Sequence, residues 1–82
     1  MNISWTRPAA KQLRALPRSI QERIAQKMRF FAAQPDPLHF AKPVIDHPRR
    51  YRFRIGEYRV IVQRDGQDLY VMRAGKRASV YS

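Results

Sequence analysis

The stretch Tyr51-Arg52-Phe53-Arg54-Ile55-Gly56-Glu57-Tyr58-Arg59-Val60-Ile61 decides the fold. Its first five residues alternate strictly between large apolar and cationic side chains. A period of two sends Tyr51, Phe53 and Ile55 to one face of a strand and Arg52 and Arg54 to the other. Gly56-Glu57 suits a two-residue hairpin turn with glycine at its first central position, where φ must be positive. Residues 58–64 resume the strand pattern, with Arg59 opposite in phase to Tyr58, Val60 and Val62. Asp65-Gly66 is a second hairpin signal, and residues 68–74 read as the next strand. Gly75 breaks that strand, and Ala78-Ser79-Val80-Tyr81 reads as a short final one.

Working outward, residues 34–50 hold four of the six prolines and both histidines, and read as an ordered but irregular connection. Before them, Ser19-Ile20-Gln21-Glu22 has the form of a capping box. Ile20, Ile24, Met28 and Phe31 continue on one face, so a helix is expected to run to about Ala33. Ala9, Leu13 and Leu16 mark an earlier helix, capped by Thr6, with Pro8 in its first turn and Pro17 at its end. Asn2-Ile3-Ser4-Trp5 alternates as a short strand. The expected order is strand, helical hairpin, then three or four antiparallel strands. That is an α+β fold with the helices on one sheet face. With 82 residues, one domain spanning 1–82 is expected.

Charge narrows the function. Seventeen Lys+Arg oppose six Asp+Glu, giving a formal +11, and thirteen of the cations are arginine. Arginine presents a planar fork that matches phosphate bidentately and stacks on bases. Nucleic acid is the natural partner and an acidic protein the second. Residues 49–77 alone carry nine basic and three acidic residues. A solvated sheet face also accommodates single arginines. Arg52, Arg54, Arg59 and Arg77 together in one meander point instead to a phosphate-binding concavity, rimmed by Lys76 and Tyr81.

Other chemistry is poorly supported. There is no cysteine, and His39 and His47 lack metal-ligand spacing. Asp36, Asp46 and Glu57 form no recognisable carboxylate pair for metal-assisted hydrolysis. Phosphate loops and nucleophile elbows are missing. Tyr51, Tyr58 and Tyr70 read as packing residues. No apolar run approaches the ~20 residues of a membrane span, and the N-terminus lacks a signal-peptide core. A cytoplasmic location without membrane association is the expectation.

The quoted central stretch resembles the hairpin of RelE/ParE-superfamily toxins, and Gly75-Lys76-Arg77 with Val80-Tyr81-Ser82 resembles the ending of the RelE branch. The N-terminal strand, helical hairpin and proline-rich connection are similar too. The resemblance implies a toxin of a toxin–antitoxin pair that cuts mRNA in the ribosomal A site. The 2′-hydroxyl attacks the adjacent phosphate, with no metal and no cofactor. It implies that Arg59 stabilises the phosphorane charge, Arg77 contacts the scissile phosphate or leaving group, and Tyr81 stacks on an mRNA base. Arg50, Arg52, Arg54 and Arg73 are expected to bind RNA. Arg52 and Arg54 stand where lysine is usual in the best-known members. Guanidinium stays protonated, so neither can act as a base. Lys76 is the first candidate base and His47 the second; an electrostatic mechanism without a strong base is the alternative. The implied partners are an acidic antitoxin, the ribosome and mRNA, and operator DNA only through the toxin–antitoxin complex. A ParE-like gyrase poison is the competing reading, against which Arg59, Arg77 and Tyr81 argue. A non-catalytic nucleic-acid-binding module is another, using Arg23, Lys27 and Arg29 of the second helix.

Overall fold

The computed structural model describes the backbone of residues 1–80 and the side chains of residues 1–78. The chain runs β1 (Asn2–Trp5), α1 (Arg7–Arg14), α2 (Arg18–Ala32), a 3-10 turn (Pro37–Phe40), β2 (Ala41–Pro43), β3 (Arg50–Ile55), β4 (Tyr58–Asp65), β5 (Asp68–Lys76) and a final helical turn α3 (Arg77–Val80). The strands form a mixed sheet in the order β1-β5-β4-β3-β2. β1 lies parallel to β5 along one edge, and the other neighbours are antiparallel.

The period-two reading of β3 and β4 holds. Phe53, Ile55, Tyr58, Val60 and Val62 are buried on one face, together with Leu69 and Val71 of β5. The helices cover this face with Ala9, Ile24, Met28 and Phe31, forming one apolar cluster. Complete burial of a side chain such as Phe53 or Leu69 stabilises the fold by about 1.5–3 kcal/mol.

Both helix starts follow from local chemistry, though only one as expected. Thr6 caps α1, its hydroxyl accepting from the Ala9 amide at 3.4 Å and donating to the Val71 carbonyl at 2.7 Å. The capping box at Ser19 does not form. Pro17 is the N-cap of α2 rather than the end of α1, which stops at Arg14. The Pro17 carbonyl accepts from the Ile20 and Gln21 amides, each at 3.0 Å, so Ser19 already lies inside the first turn. Gln21 turns back instead, and its Nε2 donates to the carbonyls of Leu16 at 2.8 Å and Arg14 at 3.2 Å. These bonds satisfy carbonyls left open at the end of α1.

Three differences from the sequence reading matter for the site. The connection over 34–50 is not wholly irregular. Asp36 caps the 3-10 turn through its carboxylate, and β2 pairs with β3 as Ala41 with Phe53, Lys42 with Arg52 and Pro43 with Tyr51. The loop over 44–49 is closed by bonds from Val44 N to Arg50 O and from Arg50 N to His47 O. Next, β5 passes through Gly75 to Lys76 and carries a bulge: Val62 pairs with Val71 but Ile61 with Arg73, leaving Met72 as the extra residue. The inserted residue reverses the phase, so Ala74 enters the core while Arg73 stays exposed. Last, Ala78, Ser79 and Val80 do not form a strand. The Arg77 amide bonds to the Glu57 carbonyl at 3.1 Å, and a helical turn follows; Tyr81 lies outside the described residues.

Candidate phosphate-binding cleft

The face of the sheet away from the helices is cationic because the pairing register stacks its basic residues. Lys42 lies directly opposite Arg52, and Arg54 directly opposite Arg59. Like charges directly opposite across a strand pair repel. Their accumulation is therefore a local cost, and an anion would offset it.

These side chains wall a cleft of about 270 Å³, lined by Phe40, Lys42, Arg52, Arg54, Arg59 and Arg77. Among the described residues, five of the lining side chains are cations and none is a carboxylate. Arg59 is held by the turn that follows β3: its Nη1 donates to the carbonyls of Gly56 at 2.8 Å and Tyr58 at 2.9 Å. Gly56 has φ +59°, the left-handed conformation glycine adopts without strain. It is also covered from the helix side, since a Cβ there would meet the Arg23 guanidinium at 3.0 Å. The bond between the Arg77 amide and the Glu57 carbonyl ties α3 to the same turn. One hairpin turn thus fixes both Arg59 and the start of the segment carrying Arg77.

Of the expected site residues, the fold brings together Arg52, Arg54, Arg59 and Arg77. Lys76 lies alongside, in an adjoining hollow shared with Arg54, Gly56, Glu57, Arg59, Arg77 and Ala78. Arg50 is elsewhere on the sheet, its Nε donating to Gln63 Oε1 at 3.1 Å. Arg73 pairs with Ile61 on β4, outside the cleft lining, and borders a groove with Gln12, Leu16 and Tyr58. His47 is exposed in the loop after β2 and lines neither the cleft nor the adjoining hollow. Two lining residues were missed by sequence reasoning: Lys42 and Phe40. Both come from the connection read as irregular, and only the pairing of β2 reveals them. Tyr58 is buried as expected, whereas Tyr70 is 38% exposed and lines a shallow hollow with Arg49 and Gln63. On α2, Arg23, Lys27 and Arg29 are all exposed. Arg23 reaches over Gly56, and Lys27 sits over the Phe30 ring at 5.8 Å. Among the described residues no three His, Cys, Asp or Glu side chains group as a metal site. No helix among them is long and apolar enough to cross a membrane.

The molecule is thus an α+β protein with its helices on one face of a mixed sheet and a cation-lined cleft on the other. The model of the family described as the ParE toxin of type II toxin-antitoxin systems, parDE, matches residues 3–81. The chain belongs to this family, within the RelE/ParE superfamily, and is a toxin of a toxin–antitoxin pair. Solved structures agree on the fold. The toxin–antitoxin complex RelBE2 from Mycobacterium tuberculosis contains a chain with TM-score 0.76 and 24% identity, covering 94% of this chain and 91% of that one. The isolated E. coli RelE toxin gives TM-score 0.75 at 22% identity, covering 98% and 89%. The RelB–RelE complex from Methanococcus jannaschii gives 0.71 at 22%, covering 94% and 93%. Comparison with curated protein sequences gives no significant match.

Proposed function

We propose that this toxin is a ribosome-dependent endoribonuclease that cuts mRNA in the A site, without metal or cofactor. The observation supporting it is the convergence of Lys42, Arg52, Arg54, Arg59 and Arg77 on one cleft with no carboxylate among its described lining residues. In the reaction the 2′-oxygen forms a bond to the adjacent phosphorus and the bond to the 5′-oxygen breaks. The products are a 2′,3′-cyclic phosphate and a 5′-hydroxyl. Negative charge builds on the phosphorane oxygens, and fixed cations aimed there lower the barrier. A single well-placed donor is worth about 2.7–4 kcal/mol.

Arg59 suits this role because the hairpin turn holds it through Nη1, leaving Nε and Nη2 of the fork to donate to phosphate. Arg77 is assigned to the scissile phosphate or leaving oxygen. Arg52 and Arg54 hold the RNA backbone, with Arg50 and Arg73 as outlying contacts, and Tyr81 orients a base. The arginines cannot take the 2′ proton. Lys76, next to Arg54, Arg59 and Arg77, is the candidate base. The ribosome contributes by presenting the RNA in line for attack. The partner that restrains the toxin is an acidic antitoxin, by charge complementarity to the +11 chain and by similarity to toxins solved in complex with antitoxins.

The test is primer extension on a defined mRNA programmed into purified ribosomes, with and without the toxin. New cleavage that requires ribosomes supports the reading, and intact mRNA at saturating toxin rejects it. The match to the ParE toxin family supports the competing reading of the sequence, a ParE-like gyrase poison. It predicts growth arrest with broken DNA and uncut mRNA.

A further inference from the structure

We infer that Phe40 is a base-stacking platform of the cleft, on which a nucleobase next to the bound phosphate lies flat. This inference rests on the RNA reading above and adds a second stacking surface to the one proposed for Tyr81.

Phe40 is the outermost of three stacked rings. Phe53, fully buried, stacks on Phe31 at 4.7 Å between centroids and 17° between planes. Phe31, 7% exposed, stacks in turn on Phe40 at 5.5 Å and 28°. Phe40 is 43% exposed and is part of the cleft wall, so some of that exposure opens onto the cleft. Phe30 and His39 meet the ring at steep angles, 71° and 89°, and brace it. The ring is therefore held in place before any ligand arrives.

Its surroundings select the ligand. Outside the cleft Phe40 touches Phe30, itself 50% exposed, and that apolar pair would suit a protein partner. Inside the cleft Phe40 is the one aromatic among the described lining residues, and the other five are cations. A cationic groove that follows the backbone, with an aromatic ring for the bases, is the combination that binds single-stranded nucleic acid. The fold alone does not demand a ring here. Leucine would also pack on Phe31; what phenylalanine adds is a flat π-face. Lys42, two residues on and opposite Arg52, stands where the phosphate beside the stacked base would lie.

The test uses the purified toxin and a short, uncleavable 2′-O-methyl RNA carrying one 2-aminopurine, whose fluorescence is quenched by stacking. The unaltered protein, Phe40→Trp and Phe40→Tyr should bind and quench. Phe40→Leu should lose the quench at one position of the RNA and bind roughly 5- to 150-fold more weakly. Tyr70→Leu, which removes an exposed aromatic ring from outside the cleft, should behave as the unaltered protein. Thermal melts of each variant separate lost stacking from lost fold. A quench that persists in Phe40→Leu, or RNA binding with no quench at any position, overturns the platform and assigns the ring to a protein contact. Failure of the RNA-cleavage reading is seen separately, as intact mRNA in the primer-extension assay with unaltered toxin.

Discussion

Replacing Arg54 by glutamine should stabilise the free protein while weakening its hold on RNA. Arg54 lies directly opposite Arg59 and two residues from Arg52 along β3. A like-charged pair directly opposite costs about 0.2–1 kcal/mol. A second cation ~7 Å away adds about 0.6 kcal/mol at the dielectric of water. Glutamine keeps most of the side-chain length and removes the charge, so about 1 kcal/mol of repulsion should be relieved at low ionic strength. For a domain of this size that raises Tm by about 4–8 °C. The assay is thermal denaturation followed by circular dichroism, first at about 0.01 M salt and then at about 1 M, where the screening length falls from about 30 Å to about 3 Å. The gain should vanish at high salt. A Tm that is unchanged or lower at low salt, or a gain that survives at high salt, would refute the argument that the cleft stores electrostatic strain.

Other expectations follow from particular contacts. Arg59→Ala should lower ribosome-dependent cleavage by about 10²–10³-fold in single-turnover assays, with a Tm within a few degrees of the parent; a collapse of the fold would reassign Arg59 to holding the Gly56 turn. Gly56→Ala should destabilise by about 1–2 kcal/mol in urea titration, because φ is +59° and the new methyl group would press on Arg23. Gln12→Ala should cost about 1–3 kcal/mol, read the same way, because Gln12 Oε1 accepts from the Ala74 amide at 2.9 Å next to the bulge.

The central hairpin was legible because its code is local. Alternation in residues 51–55 and Gly56 fix strand, turn and face without reference to the rest of the chain, and Arg52, Arg54 and Arg59 followed directly. Asp65-Gly66 also marked the second hairpin, whose turn is Gly66-Gln67, with Gly66 at φ +60° in the same first central position as Gly56 and Asp65 closing β4. The bulge at Met72 leaves no local mark, since an apolar residue fits either phase. β2 is made by its partner: three residues ending in a proline have little intrinsic strand character, and pairing with β3 supplies it. Lys42 and Phe40 were lost with it. Arg49 adopts φ +69° in the loop before β3, where arginine is no turn signal; its carbonyl accepts from the Arg64 amide at 2.7 Å. Contacts of this kind hold such a conformation from outside the segment.

The place of β5 also sets an order of assembly. The last strand of the sheet to be synthesised lies between β4 and β1, and β1 is the first element of the chain. Asn2 finds its partner in Asp68, and Trp5 in Val71. While the chain is growing, the helical hairpin has only part of its sheet to cover and β1 has nothing to pair with. Such long-range closure is entropically costly and comes late. Until β5 is made the domain should therefore lack a finished core, and the segment that locks the core also leads into Arg77. Fragments ending before Asp68 should lack protected amides in hydrogen exchange. The toxin would then acquire its stability and complete its cationic cleft in the same step.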